Sequence, residues 1–430
     1  MNISVFIGRR LSFSESSTAA DKSSRRSGAS AGVPIAIGGI AIAVVIMMIS
    51  LSVVLGFKEE IRRKIVGFTS EMTVFPQSRT LASAPCMKLS EQLISTITTT
   101  LPEAVCDGVI EIPGIIKTDS AFVGVMVKAY ADTARGFGFI SSHLVEGAMP
   151  SPPAESEDPS LPARPEIVLS AANATKLRLA VGDNVDMHFV TNGAMRTRRV
   201  TVSGIYDTHL GEYDSRFVYS TPDMARSVAK MPGDCVTALE INGIAAERLP
   251  DAIASLSASL LNLSSQTTGS DYYGLDNVLH SGQAYFSWLD LLDTNVVVIL
   301  VLMALVSGFT LISSMFILIL ERVRTIGILK SLGATNSQIR GVFIYMAERL
   351  VVRGLIIGNL IGLGFILLQH FLHIIPLDAE AYFLSYVPVD LAWGPFIILN
   401  AGVIVISAAV LVLPSHMIAT LAPSESMRYE

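Results

Sequence analysis

Four long apolar stretches constrain the fold of this chain more than any other feature of its sequence. They cover residues 34–56, 296–320, 342–369 and 393–413. Each can cross a bilayer, because about 20 helical residues rise about 30 Å, the thickness of the hydrocarbon core. A mean hydropathy of +0.53 with 16% charged residues is also too apolar for a soluble protein of 430 residues. We therefore predict a polytopic α-helical membrane protein with four transmembrane helices and a large mixed α/β extracytoplasmic domain.

The orientation of the spans follows from the positions of Lys and Arg, because basic residues beside a span are retained in the cytoplasm. Such residues precede the first span and follow the second: Arg9, Arg10, Lys22, Arg25, Arg26, Arg322, Arg324, Lys330 and Arg340. The segment 370–391 contains no Lys or Arg. Basic residues at 58 and 62–64 are a local exception, which the other loops outvote. We expect both termini in the cytoplasm.

The spans set the predicted order of segments. They are a cytoplasmic segment (1–33), the first span (34–56), an extracytoplasmic domain with stalk helices (57–295) and a β-rich insertion (about 136–220), the second span (296–320), a cytoplasmic coupling segment (321–341), the third span (342–369), an outer loop (370–392), the fourth span (393–413) and a cytoplasmic tail (414–430).

The large domain contains one clear hairpin. Residues 184–191 and 195–205 alternate between apolar and polar, and Asn192-Gly193 lies between them. An Asn-Gly pair favours the positive φ angles of a two-residue turn. The flanks, residues 71–130 and 236–279, contain strand and helix patterns that we expect to come together in a second subdomain.

Apolar residues continue at helical spacing beyond the first span and before the second. The two sets are Phe57, Ile61, Ile65 and Phe68, and Tyr285, Phe286, Trp288, Leu289 and Leu292. Both predict amphipathic stalks. The stalks either pack on each other to support the outer domain or also line an entrance for a lipid-like substrate.

Motifs for catalysis and metal binding are absent from the sequence. It has no GxxxxGK[ST], GxSxG or HExxH motif, and a net charge of -6 disfavours nucleic-acid binding. Cys86, Cys106 and Cys235 show no CxxC spacing, so a zinc site is not expected. A disulfide between Cys86 and Cys106 and three unlinked or mispaired thiols are both open. We expect no enzyme active site and no directly bound cofactor.

The turn after the second span is the most informative segment. Its sequence is ERVRTIGILKSLGATNSQIR, residues 321–340. Apolar residues Ile326, Ile328, Leu329 and Leu332 predict an apolar patch on a short helix that Gly333 ends. Thr335 and Gln338 match a capping box for the next helix. Such a helix at the inner face of a membrane requires a protein partner.

Gly354, Gly358 and Gly362 recur every four residues on the third span. One face of this helix therefore has almost no side chain, so another helix can approach it closely. A sliding or dimer interface and packing within one subunit are equally open.

The segment ERVRTIGILKSLGATNSQIRGVF, followed by the glycine-repeat helix, resembles the FtsX-like and MacB-type ABC permease superfamily. The stretches FIGRRL, LSVVLGFKEEIRRKIVGF, VGDNVDMHFV with VSGIYDT, PLDAEAYFLSYVPVD and PSESMRYE are similar to its lipoprotein-releasing branch, LolC/LolE. This resemblance implies an inner-membrane permease whose periplasmic domain has a Porter-like part and a β-rich Sabre-like insertion. In one member of that pair a long loop captures a periplasmic carrier, whereas the hairpin at Asn192-Gly193 is short.

The implied machine extracts lipoproteins from the outer leaflet of the inner membrane. Its expected partners are a cytoplasmic ABC ATPase dimer that holds ATP and Mg²⁺, a second permease copy or a related permease, the lipoprotein substrate, membrane lipids and a periplasmic carrier. The implied ATPase-coupling residues are Glu321, Arg322, Ile326, Gly327, Ile328, Leu329, Leu332, Gly333 and Ala334. Our candidates for an acyl-chain cavity are Val44, Met47, Met48, Leu51, Val297, Leu300, Val301 and Met303.

Two other functions are alternatives within the same superfamily. One is a MacB-like exporter of periplasmic cargo, although the fused ATPase domain of that type is missing here. The other is an FtsX-like signalling module that controls cell-wall hydrolases, although its outer domain is usually much smaller than the one predicted here.

Overall fold

The computed structural model describes residues 32–77, 86–119, 121–131, 133–151, 164–191, 194–266 and 272–420. The predicted turn at Asn192-Gly193 and nearly all of the predicted cytoplasmic segment 1–33 lie outside these residues. The chain divides into a helical unit, within Met1–Lys58, Trp288–Pro376 and Tyr386–Glu430, and an α/β unit, Glu59–Ser287 with Leu377–Ser385.

The secondary-structure elements are numbered here in chain order. The helices are α1 (Gly32–Thr69), α2 (Glu91–Thr100), α3 (Arg135–Ser141), α4 (Ala171–Leu177), α5 (Gly211–Arg216), α6 (Pro222–Ala229), α7 (Leu249–Gln266), α8 (Val278–Ser281), α9 (Gln283–Glu321), α10 (Val323–Ser331), α11 (Asn336–Leu372), α12 (Ala379–Tyr382) and α13 (Trp393–Thr420). The strands are β1 (Met72–Pro76), β2 (Met87–Lys88), β3 (Val105–Lys117), β4 (Phe122–Tyr130), β5 (Leu144–Gly147), β6 (Glu166–Ser170), β7 (Asn184–Thr191), β8 (Ala194–Tyr206), β9 (Phe217–Ser220), β10 (Cys235–Val236), β11 (Ala238–Asn242) and β12 (Tyr273–Asn277).

Helices α1, α9, α11 and α13 are long and apolar enough to cross a membrane. They contain the four apolar stretches from which the membrane spans were predicted. Helix α1 has 38 residues, which corresponds to a length of about 57 Å, so it is far longer than the hydrocarbon core. The predicted fold class, four membrane helices with a large mixed α/β domain, is confirmed.

The three glycines of α11 pack on α1 of the same chain. A Cβ atom at Gly354 or Gly358 would lie 2.8 Å from the Cβ of Ile40 or Val44, respectively, and one at Gly362 would lie 3.2 Å from the Met48 sulfur. The three facing residues of α1 are also spaced by four. Because both series follow one face of a helix, the glycines serve close packing within one subunit.

This packing predicts a large difference between two glycines of α11. Gly358→Ala should lower the stability of the purified chain by about 1–3 kcal/mol, because the new methyl group would also lie 2.9 Å from the Ala41 carbonyl oxygen. Gly364→Ala is the matched control, because nothing lies within 4 Å of its added Cβ. Thermal unfolding in detergent measures both variants. Equal midpoints would show that the close approach of α1 and α11 is not stabilising.

The α/β unit is built on one large sheet. Its strand order is β12-β1-β11-β3-β4-β9-β6-β8-β5, and β7 pairs with both β3 and β8. The predicted hairpin is confirmed as antiparallel β7 and β8. The flanks also come together as predicted, because β1 pairs with β11 and β12, and β11 pairs with β3. The sheet extends beyond the predicted β-rich segment, since β3 and β4 precede residue 136.

The predicted apolar face of the first stalk is buried. Phe57 is 7% exposed, whereas Ile61, Ile65 and Phe68 are 0% exposed. Phe68 lies in an aromatic cluster, with ring centroids 5.2 Å from Tyr213 and 6.0 Å from Phe217. The last turns of α1 therefore form part of the core of the α/β unit.

The disulfide considered between Cys86 and Cys106 is wrong. Cys86 is bonded to Cys235, and Cys106 is a free thiol. The reason is the pairing of β2 with β10, in which Cys235 lies opposite Lys88. This register brings the Cα atoms of Cys86 and Cys235 to 5.3 Å. Cys106 instead pairs with Ile241 on β11.

Candidate functional site

The predicted coupling segment forms the short helix α10 between α9 and α11. Gly333 follows it with a φ of +91°, a conformation that glycine adopts without strain. Thr335 and Gln338 then form the predicted capping box at the start of α11: the Gln338 amide donates to Thr335 Oγ1 at 3.4 Å and the Thr335 amide to Gln338 Oε1 at 2.9 Å. The ends of α10 and the start of α11 are thus fixed by local backbone chemistry.

Helix α10 has one anchored face and one exposed face. Ile326 is 1% exposed and belongs to a core cluster with residues of α9, α11 and α13, against which Leu329 and Ala334 also pack. Ile328 and Leu332 are 52% and 79% exposed. The structure therefore divides the predicted apolar patch: part of it holds the helix in place and part remains open.

The other residues of the predicted coupling set occupy both faces of this turn. Gly327 is buried, Arg322 is half-buried, and Glu321 and Gly333 are exposed. The open surface thus combines two large apolar side chains with polar surroundings. A surface of this kind at the end of a membrane helix suits a protein partner.

The residues predicted for an acyl-chain cavity do not form one surface. Val44, Met47 and Met48 are buried in the core of the helical unit, against which Leu51, Leu300 and Met303 also pack. Val297 and Val301 are 57% and 53% exposed.

Helix α9 carries a continuous exposed apolar stripe. Its members are 51–68% exposed: Val297, Val298, Val301, Leu302, Leu305, Val306 and Phe309. Their spacing of four, one, three and so on follows one face of a helix. This stripe is the largest apolar surface to which the predicted cavity residues contribute.

Comparisons with known proteins agree with this geometry. The model of the MacB-like periplasmic core domain matches residues 35–254, which is half of the chain, and that of the FtsX-like permease C-terminal region matches residues 297–423. The chain belongs to the family of FtsX-like and MacB-like permeases. The predicted family is confirmed, and the protein is accordingly an ABC transporter permease, a multi-pass inner-membrane subunit rather than an enzyme.

Curated relatives of the permease include lipoprotein-releasing proteins. It is 22% identical over 406 residues to the lipoprotein-releasing system transmembrane protein LolC of Xylella fastidiosa, covering 91% of this chain and 92% of the relative. It is 22% identical over 417 residues to LolC of Neisseria meningitidis, covering 92% and 94%. It is 20% identical over 400 residues to LolE of Haemophilus influenzae, covering 90% and 92%.

A buried charge network in the permease was not predicted from its sequence. The ammonium of Lys128 donates to Glu240 Oε1 at 2.9 Å and to the carbonyl of Phe68 at 2.6 Å, and it lies 3.2 Å from Glu111 Oε1. Burial lowers the pKa of Lys128, but the neighbouring carboxylates outweigh burial and raise it above its ordinary value. Lys128 therefore remains charged and attaches the end of α1 to strands β3, β4 and β11.

The alternation of β4 could not reveal this role. Lys128 lies on the same face of β4 as Met126 and Gly124, which alternation assigns to the polar side of the strand. The Phe68 carbonyl at the end of α1 approaches Lys128 on that face, so the side chain is buried. The strand pattern contains no signal for the covering helix.

Asp214 is a second buried group whose charge is disfavoured. It is 2% exposed and accepts hydrogen bonds from the Thr208 hydroxyl at 2.8 Å and the Thr208 amide at 3.2 Å. Burial raises the pKa of Asp214 from 3.8 to about 6, although these hydrogen bonds act in the opposite direction.

This pKa shift predicts a pH-dependent stability. Between pH 3.8 and about 6 the folded state holds a proton that the unfolded chain has released, so stability falls as pH rises through that window. The full change attributable to Asp214 is on the order of 3 kcal/mol. Asp214→Asn should remove this part of the pH dependence of the thermal midpoint, whereas the control Asp223→Asn, at an exposed position, should retain it. Parallel profiles for the wild type and Asp214→Asn would contradict the assignment.

Proposed function

We propose that the permease is the transmembrane subunit of an ATP-driven complex that extracts lipoproteins from the outer leaflet of the inner membrane and passes them to a periplasmic carrier. The observation that carries this proposal is the similarity to LolC and LolE, which runs through 90–92% of this chain. It includes the helices, the α/β unit and the coupling helix in one order.

The energetics of extraction explain why such a complex needs ATP. Each CH₂ group removed from lipid costs about 0.8 kcal/mol, so removing several acyl chains costs tens of kcal/mol. Under this proposal ATP and Mg²⁺ bind to a separate ATPase subunit, and the permease binds no cofactor. Its role is to convert movement of the ATPase into movement of the helices.

Helix α10 is the proposed contact with that ATPase. Ile328 and Leu332 provide the apolar surface, and Ile326 transmits the force because it is packed among α9, α11 and α13. An exposed pair alone would bend away under load, whereas the buried residue couples it to three helices.

The proposed orientation places both termini in the cytoplasm and the α/β unit in the periplasm. Two observations support it. Residues Leu377–Ser385, between α11 and α13, belong to the same unit as Glu59–Ser287, as expected if both lie on one side of the membrane. The Cys86–Cys235 disulfide is typical of an oxidising compartment.

The proposed acyl-chain surface is the exposed stripe of α9, in which Val297 and Val301 lie. A second permease copy or a related permease would complete the cavity on the open side. Val44, Met47 and Met48 are instead proposed to support this surface from behind, because they are buried in the helical core.

The coupling contact is tested by a charge on its exposed face. Leu332→Asp should reduce copurification of the ATPase subunit at least tenfold, because a buried unpaired carboxylate at an interface costs about 2 kcal/mol or more. Leu261→Asp is the control, since Leu261 is similarly exposed, at 72%, but lies on α7 of the α/β unit. Wild-type recovery of the ATPase with Leu332→Asp would rule out this docking surface.

The acyl-chain surface is tested by filling it without adding charge. Val301→Trp should lower ATP-dependent release of a lipoprotein from reconstituted vesicles about tenfold while ATP turnover continues, because the indole occupies acyl-chain space. Leu360→Trp, at an exposed position of α11, should release lipoprotein normally. Unimpaired release by Val301→Trp would sink the surface, and no release by the wild-type complex would sink the proposed function.

A further inference from the structure

Lys64 is a buried cation that connects three distant segments of the α/β unit. It lies on α1 and is 7% exposed. Its ammonium donates to the carbonyl oxygen of Thr208 at 2.6 Å and to that of Phe383 at 2.8 Å. The acceptors are 144 and 319 residues away in sequence.

The first acceptor belongs to a rigid turn. Thr208 donates to Asp214 from both its amide and its hydroxyl, and its hydroxyl accepts the Leu210 amide at 3.3 Å. The carbonyl of Thr208 is therefore held in a fixed direction. Lys64 does not need to order this turn.

The second acceptor belongs to the connection between α11 and α13. Within it, the amides of Leu377, Tyr382 and Phe383 donate to the carbonyls of Ser385, Asp378 and Ala379 at 3.0 Å each. The Phe383 ring lies 5.8 Å from the ring of Tyr285, edge to face. Residues Leu377–Ser385 thus form a compact loop that packs on the α/β unit, although both neighbouring segments belong to the helical unit.

The type of contact indicates a positioning role for Lys64. Both acceptors are uncharged carbonyls, and burying an ammonium costs free energy that such bonds only partly return. Nearby Glu60, Asp207 and Asp214 favour its charge. What a cation with several donors provides here is a directed link among segments that have no other common contact.

We propose that Lys64 is a positioning residue that fastens the loop Leu377–Ser385 to α1 and the Thr208 turn. The loop then forms a third connection, besides α1 and α9, through which movement of α11 and α13 reaches the α/β unit. This inference rests on the proposed function for its role in coupling, but the attachment itself does not.

The attachment is tested by hydrogen exchange on the purified full-length chain in detergent. Lys64→Met keeps the length of the side chain and removes its donors, so the loop amides of Leu377, Tyr382 and Phe383 should exchange about tenfold faster. Lys64→Arg, which retains charged donors, should restore most of the protection. The control is Lys58→Met, which removes an exposed ion pair with Asp293 and should leave the loop unchanged.

A second variant guards against a general loss of folding. Tyr285→Leu removes the ring contact with Phe383 and should speed exchange of the same loop in the same direction. Exchange in β3 and β4, remote from Lys64, should stay at its wild-type rate in every variant. Unchanged loop exchange in Lys64→Met would overturn the attachment.

The coupling role is tested in the reconstituted complex. With Lys64→Met, ATP turnover should continue while lipoprotein released per ATP falls about tenfold, and Lys64→Arg should recover it. Faster loop exchange with an unchanged yield per ATP would overturn the positioning role. If the wild-type complex releases no lipoprotein, the proposed function fails, whereas the exchange result still decides the attachment.

Discussion

The continuity of helix α1 is the constraint on which the rest of the structure depends. One uninterrupted helix of 38 residues serves the helical unit with its first part and the α/β unit with its last turns. In lipid a helix satisfies all its backbone hydrogen bonds within itself, and beyond the lipid the same helix requires an apolar face. The sequence meets both demands in turn, first without charges and then with Ile61, Ile65 and Phe68 facing the domain core.

Buried lysines secure the outer end of this helix. Lys128 reaches its last turn from β4, and Lys64 reaches outward from the helix itself. An ammonium at the carboxyl end of a helix is favoured by the helix dipole as well as by the hydrogen bond. The end of α1 is therefore held by directed contacts in addition to the aromatic packing around Phe68.

The features that could be predicted from the sequence are those that local pattern determines. Apolar length gave the spans, alternation gave β7 and β8, and Thr335 with Gln338 gave the start of α11. The features that could not be predicted depend on which segments meet. Cys86 pairs with Cys235 because of the β2–β10 register, and Lys128 is buried because the end of α1 covers its face. Val44 and Met48 were assigned by chain position, whereas the glycines of α11 decide what covers them.

The seating of α1 on α11 also restricts how these helices can move. Three side chains, from Ile40, Val44 and Met48, each occupy the notch left by one glycine. Sliding by one residue would drive every ridge out of its notch at once, and the next matching register is a whole helical turn, about 5.4 Å, away. The two helices therefore behave as a single strut, and a push on either one is delivered along both without slip.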